Sequence, residues 1–201
     1  GKECALHPAR LWIGTETFEV RPRQTRREGH RTGHAPFLGP HRLRTVAIIQ
    51  ARMTSTRLPG KVLKPLAGAP LLTRVIERAR AIPGVETVAV ALPEGDIHDP
   101  IAALCVALSV PTVRGPEDDV LKRYRMAVDA LGAEIVVRLT SDCPFLDPGV
   151  SGAIVAAVID AGVPYGSNAM DRGYPLGFDT QVATAAALRE ADAEARDPYE
   201  R

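Results

Sequence analysis

Three cations and several hydroxyl side chains lie close together in residues 51–61, which read Ala-Arg-Met-Thr-Ser-Thr-Arg-Leu-Pro-Gly-Lys. Arg52, Arg57 and Lys61 supply the charge, and Ser55 and Thr56 supply hydroxyl groups beside them. Cations that converge in this way suit a dense anion, of which a triphosphate is the obvious example. A solvated basic loop is the alternative, and the element that precedes the segment argues against it.

That element is Thr45-Val46-Ala47-Ile48-Ile49, a β-branched apolar run of the kind found in buried parallel strands. Open α/β sheets bind ligands in the crevice outside the carboxyl ends of their strands. A cation-rich loop directly after a buried strand therefore predicts phosphate binding.

A second chemically capable group follows another apolar run, residues 135–139. Asp142 stands in the segment Ser-Asp-Cys-Pro just after it, and the strand would deliver Asp142 to the same edge of the sheet. Mg²⁺ is commonly held by one or two carboxylates together with substrate phosphates. By spacing alone, a metal ligand and a carboxylate that caps a turn before Pro144 are equally good interpretations.

The elements between these segments alternate between short apolar runs and amphipathic stretches, which predicts a parallel sheet with helical crossovers. Asp-Pro pairs at 99–100 and 147–148 are typical of a helix N-cap followed by proline. We expect helices at about 70–80, 99–108, 117–131 and 147–161, and strands at about 45–49, 86–92, 110–113 and 134–139.

Residues 51–61 closely resemble the motif Arg-x-x-Ser-x-Arg-Leu-Pro-x-Lys of the cytidylyltransferases that make CMP-activated sugars. The residues that match are Arg52, Ser55, Arg57, Leu58, Pro59 and Lys61. The resemblance runs from about Thr45 to the last residue and is strongest to the spore-coat polysaccharide biosynthesis protein F and acylneuraminate cytidylyltransferase-like branch. It implies a three-layer α/β nucleotide-diphospho-sugar transferase fold, glycosyltransferase-A-like, with a mainly parallel sheet.

The resemblance also implies an activity: transfer of CMP from CTP to a sugar or sugar-acid acceptor, with Mg²⁺ as cofactor and release of pyrophosphate. It favours Asp142 as a metal ligand, because Ser-Asp-Cys-Pro is similar to the metal-binding block of the family. Asp179, in a block similar to Pro-x-Gly-x-Asp, is the expected second ligand, although it is also compatible with a solvated strand residue. Arg52, Lys61 and Asp142 are the expected catalytic residues.

The predicted substrate-binding residues are Ala51, Arg52, Ser55, Arg57, Lys61, Arg114 and Arg138. Arg114 precedes a Glu-Asp-Asp segment similar to the branch's Arg-Gly-x-Glu-Asp-Asp-Val-Leu block, and is expected near the nucleotide. Base selection is expected to use backbone groups near Ala51 and Arg114. Arg138 is positioned to meet an acceptor carboxylate or phosphate, and is equally compatible with a structural ion pair. Ser167, Asn168 and Arg172 are placed to reach an acceptor.

The charge is divided unevenly along the chain. Residues 1–44 hold nine Lys/Arg against four Asp/Glu, and residues 45–201 hold sixteen against twenty. Because residues 1–44 show neither helical nor strand periodicity, we expect a disordered basic extension before a nucleotidyltransferase domain at 45–201. A basic arm for nucleic acid is the alternative, but the segment carries no recognition module, so no nucleic-acid partner is expected.

Other features bound the class of protein. No apolar run reaches the roughly 18 residues needed to cross a bilayer, so no membrane partner is expected. The three cysteines, Cys4, Cys105 and Cys143, lack metal-ligand spacing and fit a reducing cytoplasm. The resemblance implies that relatives continue beyond the matching block, so the sequence is expected to be truncated at its C-terminus.

Two rival functions remain open. A nucleotide-sugar-dependent glycosyltransferase would share the fold, but it would want an Asp-x-Asp element that residues 142–144 do not supply. An inactive nucleotide-binding relative is the other. Relatives commonly form homodimers, and the sequence leaves the oligomeric state open.

Overall fold

Strand β3 lies at the centre of the sheet in the computed structural model, which describes residues 9–13, 16–20, 43–170 and 173–199. The strands are β1 (Ala9–Ile13), β2 (Glu16–Val20), β3 (Thr45–Gln50), β4 (Pro65–Leu66), β5 (Ala69–Pro70), β6 (Thr87–Pro93), β7 (Thr112–Gly115), β8 (Ile135–Thr140), β9 (Tyr165–Ser167) and β10 (Gln181–Thr184). The helices are α1 (Leu71–Arg80), α2 (Asp99–Ala107), α3 (Val120–Leu131), α4 (Pro148–Ala161) and α5 (Ala185–Glu194).

The main sheet has the order β2-β1-β9-β10-β8-β3-β6-β7. Its centre is parallel, since β3 pairs in parallel with both β8 and β6, and β6 pairs in parallel with β7. Strands β10, β9, β1 and β2 extend it in antiparallel fashion beyond β8. The carboxyl ends of β3 and β8 therefore meet at one edge, where Gln50 is the register partner of Thr140.

The alternation of side chains along β3 explains the three layers. Ala47 and Ile49 face one apolar cluster, which α1, α2 and α4 cover. Val46 and Ile48 face the other, which α3 and α5 cover. All four side chains are completely buried, as expected for a strand covered on both faces. The predicted three-layer α/β fold is confirmed.

Polar side chains fix where the helices begin. Asp147 caps α4 by accepting a hydrogen bond from the Val150 N–H at 2.9 Å, as predicted. Asp119 caps α3 in the same way, so that helix begins at Val120 rather than at Glu117. Asp99 was expected to cap α2, but it is the first residue of that helix, and His98 occupies the cap position.

The expectation that residues 1–44 lack regular structure is wrong at β1 and β2. These two strands pair with each other over five register positions, and β1 joins the sheet through Trp12 opposite Ser167. Residues 1–8, 14–15 and 21–42 lie outside the described residues. Among the helices of the described segments, none combines the length and apolar character needed to cross a bilayer.

Candidate active site

A polar cavity of about 230 Å³ opens at the carboxyl edge of β3 and β8. Its lining residues come from the end of β3, the following loop, and the end of β8: Gln50, Arg52, Ser55, Thr56, Arg57, Lys61, Thr140, Ser141 and Asp142. The structure thus brings together five predicted site residues, namely Arg52, Ser55, Arg57, Lys61 and Asp142. Three cations face one carboxylate here, so the cleft carries a formal excess of positive charge.

The backbone holds the cation loop, residues 51–61, in a closed turn. The Ala51 N–H donates to the Ala91 carbonyl at 3.1 Å and continues the β3–β6 pairing by one residue. The Gly60 N–H donates to the Met53 carbonyl at 3.0 Å and closes the loop. Gly60 adopts a left-handed conformation with φ of 65°, which favours glycine at this position.

Lys61 and Asp142 lie in direct contact across the cleft, with 2.5 Å between Lys61 Nζ and Asp142 Oδ2. The contact follows from the sheet, because Ser141 N–H donates to the Gln50 carbonyl at 3.1 Å and extends the β3–β8 register into the loop. Burial raises the pKa of Asp142, but hydrogen bonds from Lys61 and Thr140 outweigh that effect and hold the pKa below its ordinary value. Asp142 is therefore ionised at neutral pH.

The two arginines of the loop remain accessible. Arg52 has 47% of its side chain exposed, and its Nη1 lies 4.0 Å from Glu117 Oε1. Arg57 is exposed and lines the cleft, and within the described segments no hydrogen bond or ion pair engages its guanidinium. Both guanidinium groups are available to an incoming anion.

Asp179 lies outside the residues that line the cleft. Its charge contributes to the raised pKa of the Cys143 thiol, of which burial is the main cause, so Asp179 acts on the residue next to Asp142. The segment that carries it is anchored by Asn168, which accepts from the Thr180 N–H and donates to the Phe178 carbonyl. Throughout the described segments, no three His, Cys, Asp or Glu side chains cluster as metal ligands.

Ser167, Asn168 and Arg172 were expected to reach an acceptor. The structure shows Ser167 and Asn168 buried instead, and Arg172 lies outside the described residues. Ser167 is fully buried, with its hydroxyl accepting from the Ala169 N–H at 3.0 Å, and Asn168 is 2% exposed. Both side chains hold the loop that leads to Asp179.

Arg114 lies beside the cleft rather than in it. Its guanidinium donates to the Gly95 carbonyl at 3.0 Å and pairs with Asp99. These contacts tie the end of β7 to the turn before α2. Ala51 is 1% exposed and its N–H is committed to Ala91, so the loop's first residue offers no free backbone donor.

Arg138 lines a second, larger cavity of about 690 Å³ between the sheet and helices α3 and α5. Its Nη1 donates to Gln181 Oε1 at 2.9 Å, and its guanidinium carbon lies 5.5 Å from the centroid of the Tyr124 ring. Of the two alternatives for Arg138, the structural ion pair is replaced by a hydrogen bond and a cation–π contact. Gln50 lines both cavities, so the two adjoin at the end of β3.

The sequence analysis missed a group of side chains behind the cation loop. His98 and Arg123 are completely buried, and Glu117 contacts the loop from the segment before α3. The position of Arg123 carried a signal, since it is three residues after Val120 and four before Ala127, on the buried face of the helix. His98 and Glu117 carried none that distinguishes them from surface residues.

Known proteins provide an independent comparison. A family model described as "Cytidylyltransferase" matches residues 46–192. The spore coat polysaccharide biosynthesis protein SpsF of Bacillus subtilis is 34% identical over 142 residues, which are 69% of this chain and 58% of that protein. A 3-deoxy-manno-octulosonate cytidylyltransferase of Anaeromyxobacter dehalogenans is 39% identical over 113 residues, covering 55% of this chain and 46% of that one.

A solved cytidylyltransferase structure from Leptospira borgpetersenii superposes with a TM-score of 0.75 at 31% identity, covering 79% of this chain and 68% of that one. The chain thus spans about half to two thirds of the length of these relatives.

Proposed function

Because the chain belongs to the cytidylyltransferase family, we propose that it transfers CMP from CTP to a sugar or sugar-acid acceptor and releases pyrophosphate. The cleft that joins three cations to Asp142 is the observation that carries this proposal. The relatives named for spore coat polysaccharide and for 3-deoxy-manno-octulosonate support an acceptor used in surface polysaccharide biosynthesis.

The reaction forms a bond between an acceptor oxygen and the α-phosphorus of CTP and breaks the bond from that phosphorus to the oxygen bridging to the β-phosphate. Pyrophosphate leaves with the bonding electrons. Arg52, Arg57 and Lys61 would hold the β- and γ-phosphates and neutralise the charge that develops on the leaving group. Catalysis then consists of alignment and electrostatic stabilisation by groups already in place.

Asp142 has the chemistry that a Mg²⁺ site requires, because it is an ionised carboxylate beside three cations that would bring phosphate oxygens. We assign Asp142 as one ligand and Asp179 as the second. Bound Mg²⁺ would supply Lewis-acid polarisation of the phosphate.

The acceptor would enter from the side of Arg138. That guanidinium faces the larger cavity, which adjoins the cleft at Gln50. Its hydrogen bond to Gln181 fixes it without neutralising its charge, so it remains able to meet an acceptor carboxylate or phosphate. The guanidinium of Arg114 is engaged by Gly95 and Asp99, so the backbone near Arg114 would form the nucleotide side of the site.

We assign the reaction to the cytoplasm, in accord with the free thiols of Cys105 and Cys143, and expect a homodimer.

A pyrophosphate-release assay with Mg²⁺ tests the proposal. CTP is compared with ATP, GTP and UTP, and 3-deoxy-manno-octulosonate is included among the sugar-acid and sugar-phosphate acceptors. We expect acceptor-dependent release of pyrophosphate from CTP. Release of a nucleoside diphosphate from a nucleotide sugar would instead identify a glycosyltransferase, and CTP binding without turnover would identify an inactive relative.

A further inference from the structure

The side chain of His98 is completely buried, yet it touches the cation loop. The N–H of Met53 donates to His98 Nδ1 at 3.2 Å. A ring nitrogen that accepts a hydrogen bond carries no proton, so the neutral ring holds its proton on Nε2. Met53 follows Arg52 directly, so this hydrogen bond fixes the backbone that carries the first cation of the cleft.

The other ring nitrogen points toward Glu117. His98 Nε2 lies 4.0 Å from Glu117 Oε2 and has no hydrogen-bond partner among the described residues. Glu117 in turn accepts a hydrogen bond from the Thr54 hydroxyl and lies 4.0 Å from Arg52 Nη1. One carboxylate thus contacts the residues on both sides of Met53, while the imidazole holds Met53 itself.

Arg123, on helix α3, holds the backbone at Glu117 in place. Its buried guanidinium donates to the carbonyl oxygens of Pro116 and Glu117, the second at 3.2 Å. The backbone of the Glu117 segment is therefore anchored to α3, and the Met53 bond anchors the loop to the start of α2. Residues 52–54 are held from two helices at once.

We infer that His98 and Glu117 are positioning residues of the cleft: together they hold residues 52–54 so that the Arg52 guanidinium is presented to the β- and γ-phosphates. This inference rests on the proposed function, since it assumes that the cleft binds a triphosphate. Neither side chain lines the cleft, so both act through the cation loop.

Matched variants at position 98 separate the hydrogen bond to Met53 from the effect of the ring itself. His98→Asn places an amide oxygen near the Nδ1 position and keeps an acceptor for the Met53 N–H. His98→Phe keeps a ring of similar size and loses that acceptor. Thr73→Val serves as a control, because Thr73 is a buried polar residue of α1, which contributes nothing to the cleft lining.

Calorimetric binding of CTP, inorganic tripolyphosphate and CMP to the whole chain is the measurement. We expect His98→Phe to weaken binding of CTP and tripolyphosphate about 10- to 100-fold, by analogy with the loss seen when a residue that orients a metal ligand is replaced. CMP lacks the β- and γ-phosphates, so its affinity should change less than threefold. His98→Asn should recover most of the lost affinity, and Thr73→Val should leave all three unchanged.

The outcomes distinguish the positioning role of His98 from the proposed function of the cleft. Equal tripolyphosphate affinity in wild type and His98→Phe overturns the positioning role, and so does an equal loss for CMP and CTP. If His98→Phe does not fold, His98→Asn is compared with Lys61→Ala, which removes one cation of the cleft. An equal loss of CTP affinity in these two variants contradicts the Met53 contact as the source of the effect. A wild-type chain that binds neither CTP nor tripolyphosphate overturns the proposed function itself.

Discussion

At the scale of single residues, Lys61 and Asp142 are the pair on which the proposed chemistry depends. We expect Lys61→Ala and Asp142→Ala each to lower turnover about 100-fold or more, because loss of one preorganised charge contact costs roughly 3 kcal/mol in the transition state. Pyrophosphate release at saturating CTP measures this. Lys64→Ala is the matched control, since Lys64 is exposed and does not line the cleft. Unchanged Mg²⁺-dependent turnover in Asp142→Ala would show that the metal assignment is wrong.

Asp142 also makes a pH-dependent contribution to stability. Its pKa is lower in the folded chain than the roughly 3.9 of an unfolded aspartate. Its contribution is therefore fully present above that unfolded pKa and is lost as the pH falls through the folded one. We expect the stability difference between wild type and Asp142→Asn to shrink between pH 6 and pH 3. Urea unfolding at both pH values measures it, and a constant difference would contradict the assigned shift.

Sequence reasoning located the groups of the cleft because local patterns contained them. On each side of the cleft, an apolar strand followed by charged residues indicated the site, and Arg52, Lys61 and Asp142 lie together as expected. It could not locate His98 or Glu117, because the contacts of those two side chains depend on how α2, α3 and the cation loop pack in space. The structural ion pair considered for Arg138 is not found among the described residues, since a glutamine on β10 lies opposite it in register; its contact with an acceptor stays a prediction.

At the scale of elements, the interiors of the helices and strands were predictable and their ends less so. Apolar periodicity indicated β3, β6, β8 and helices α1 to α4 within a few residues, whereas α5 was not predicted. The start of α3 differed from the predicted one because Asp119, and not Glu117, caps the helix. Strands β1 and β2 were missed because their composition alone does not indicate regular structure. They form because β1 and β2 pair with each other and β1 pairs with β9.

Helix α4 makes one close approach that can be tested. A Cβ added to Gly152 would lie 2.8 Å from Pro83 Cδ and 3.0 Å from Cγ, and a proline ring cannot move aside as a flexible side chain would. We expect Gly152→Ala to destabilise the chain by about 1–3 kcal/mol through overpacking, despite the higher helix propensity of alanine. Urea denaturation measures it, with Ala156→Ser at an exposed position of α4 as control. A stabilised variant would mean that the helix and the Pro83 turn are farther apart.

At the scale of the whole molecule, nucleotide binding should stabilise the fold. A ligand at about 100 times its Kd adds about 2.7 kcal/mol to a native state that alone can bind it. For a chain of this size that corresponds to a rise of roughly 5–10 °C in the unfolding midpoint. We expect CTP with Mg²⁺ to produce it at low salt, and CMP, without the two terminal phosphates, to produce less. The shift should decrease with ionic strength, since the cleft is partly open to solvent; equal shifts for CMP and CTP would contradict triphosphate recognition.

The Lys61–Asp142 contact joins residues 81 positions apart in the chain, and the β3–β8 register together with the turn that Gly60 and Met53 close makes them neighbours. One residue inserted into either strand would displace the carboxylate from the ammonium by roughly 3.3 Å. The same insertion would turn every following side chain of that strand to the opposite face of the sheet. An insertion accepted during evolution in either strand would therefore have to keep both the reactive contact and the core packing at once, whereas the surface loops are free to lengthen.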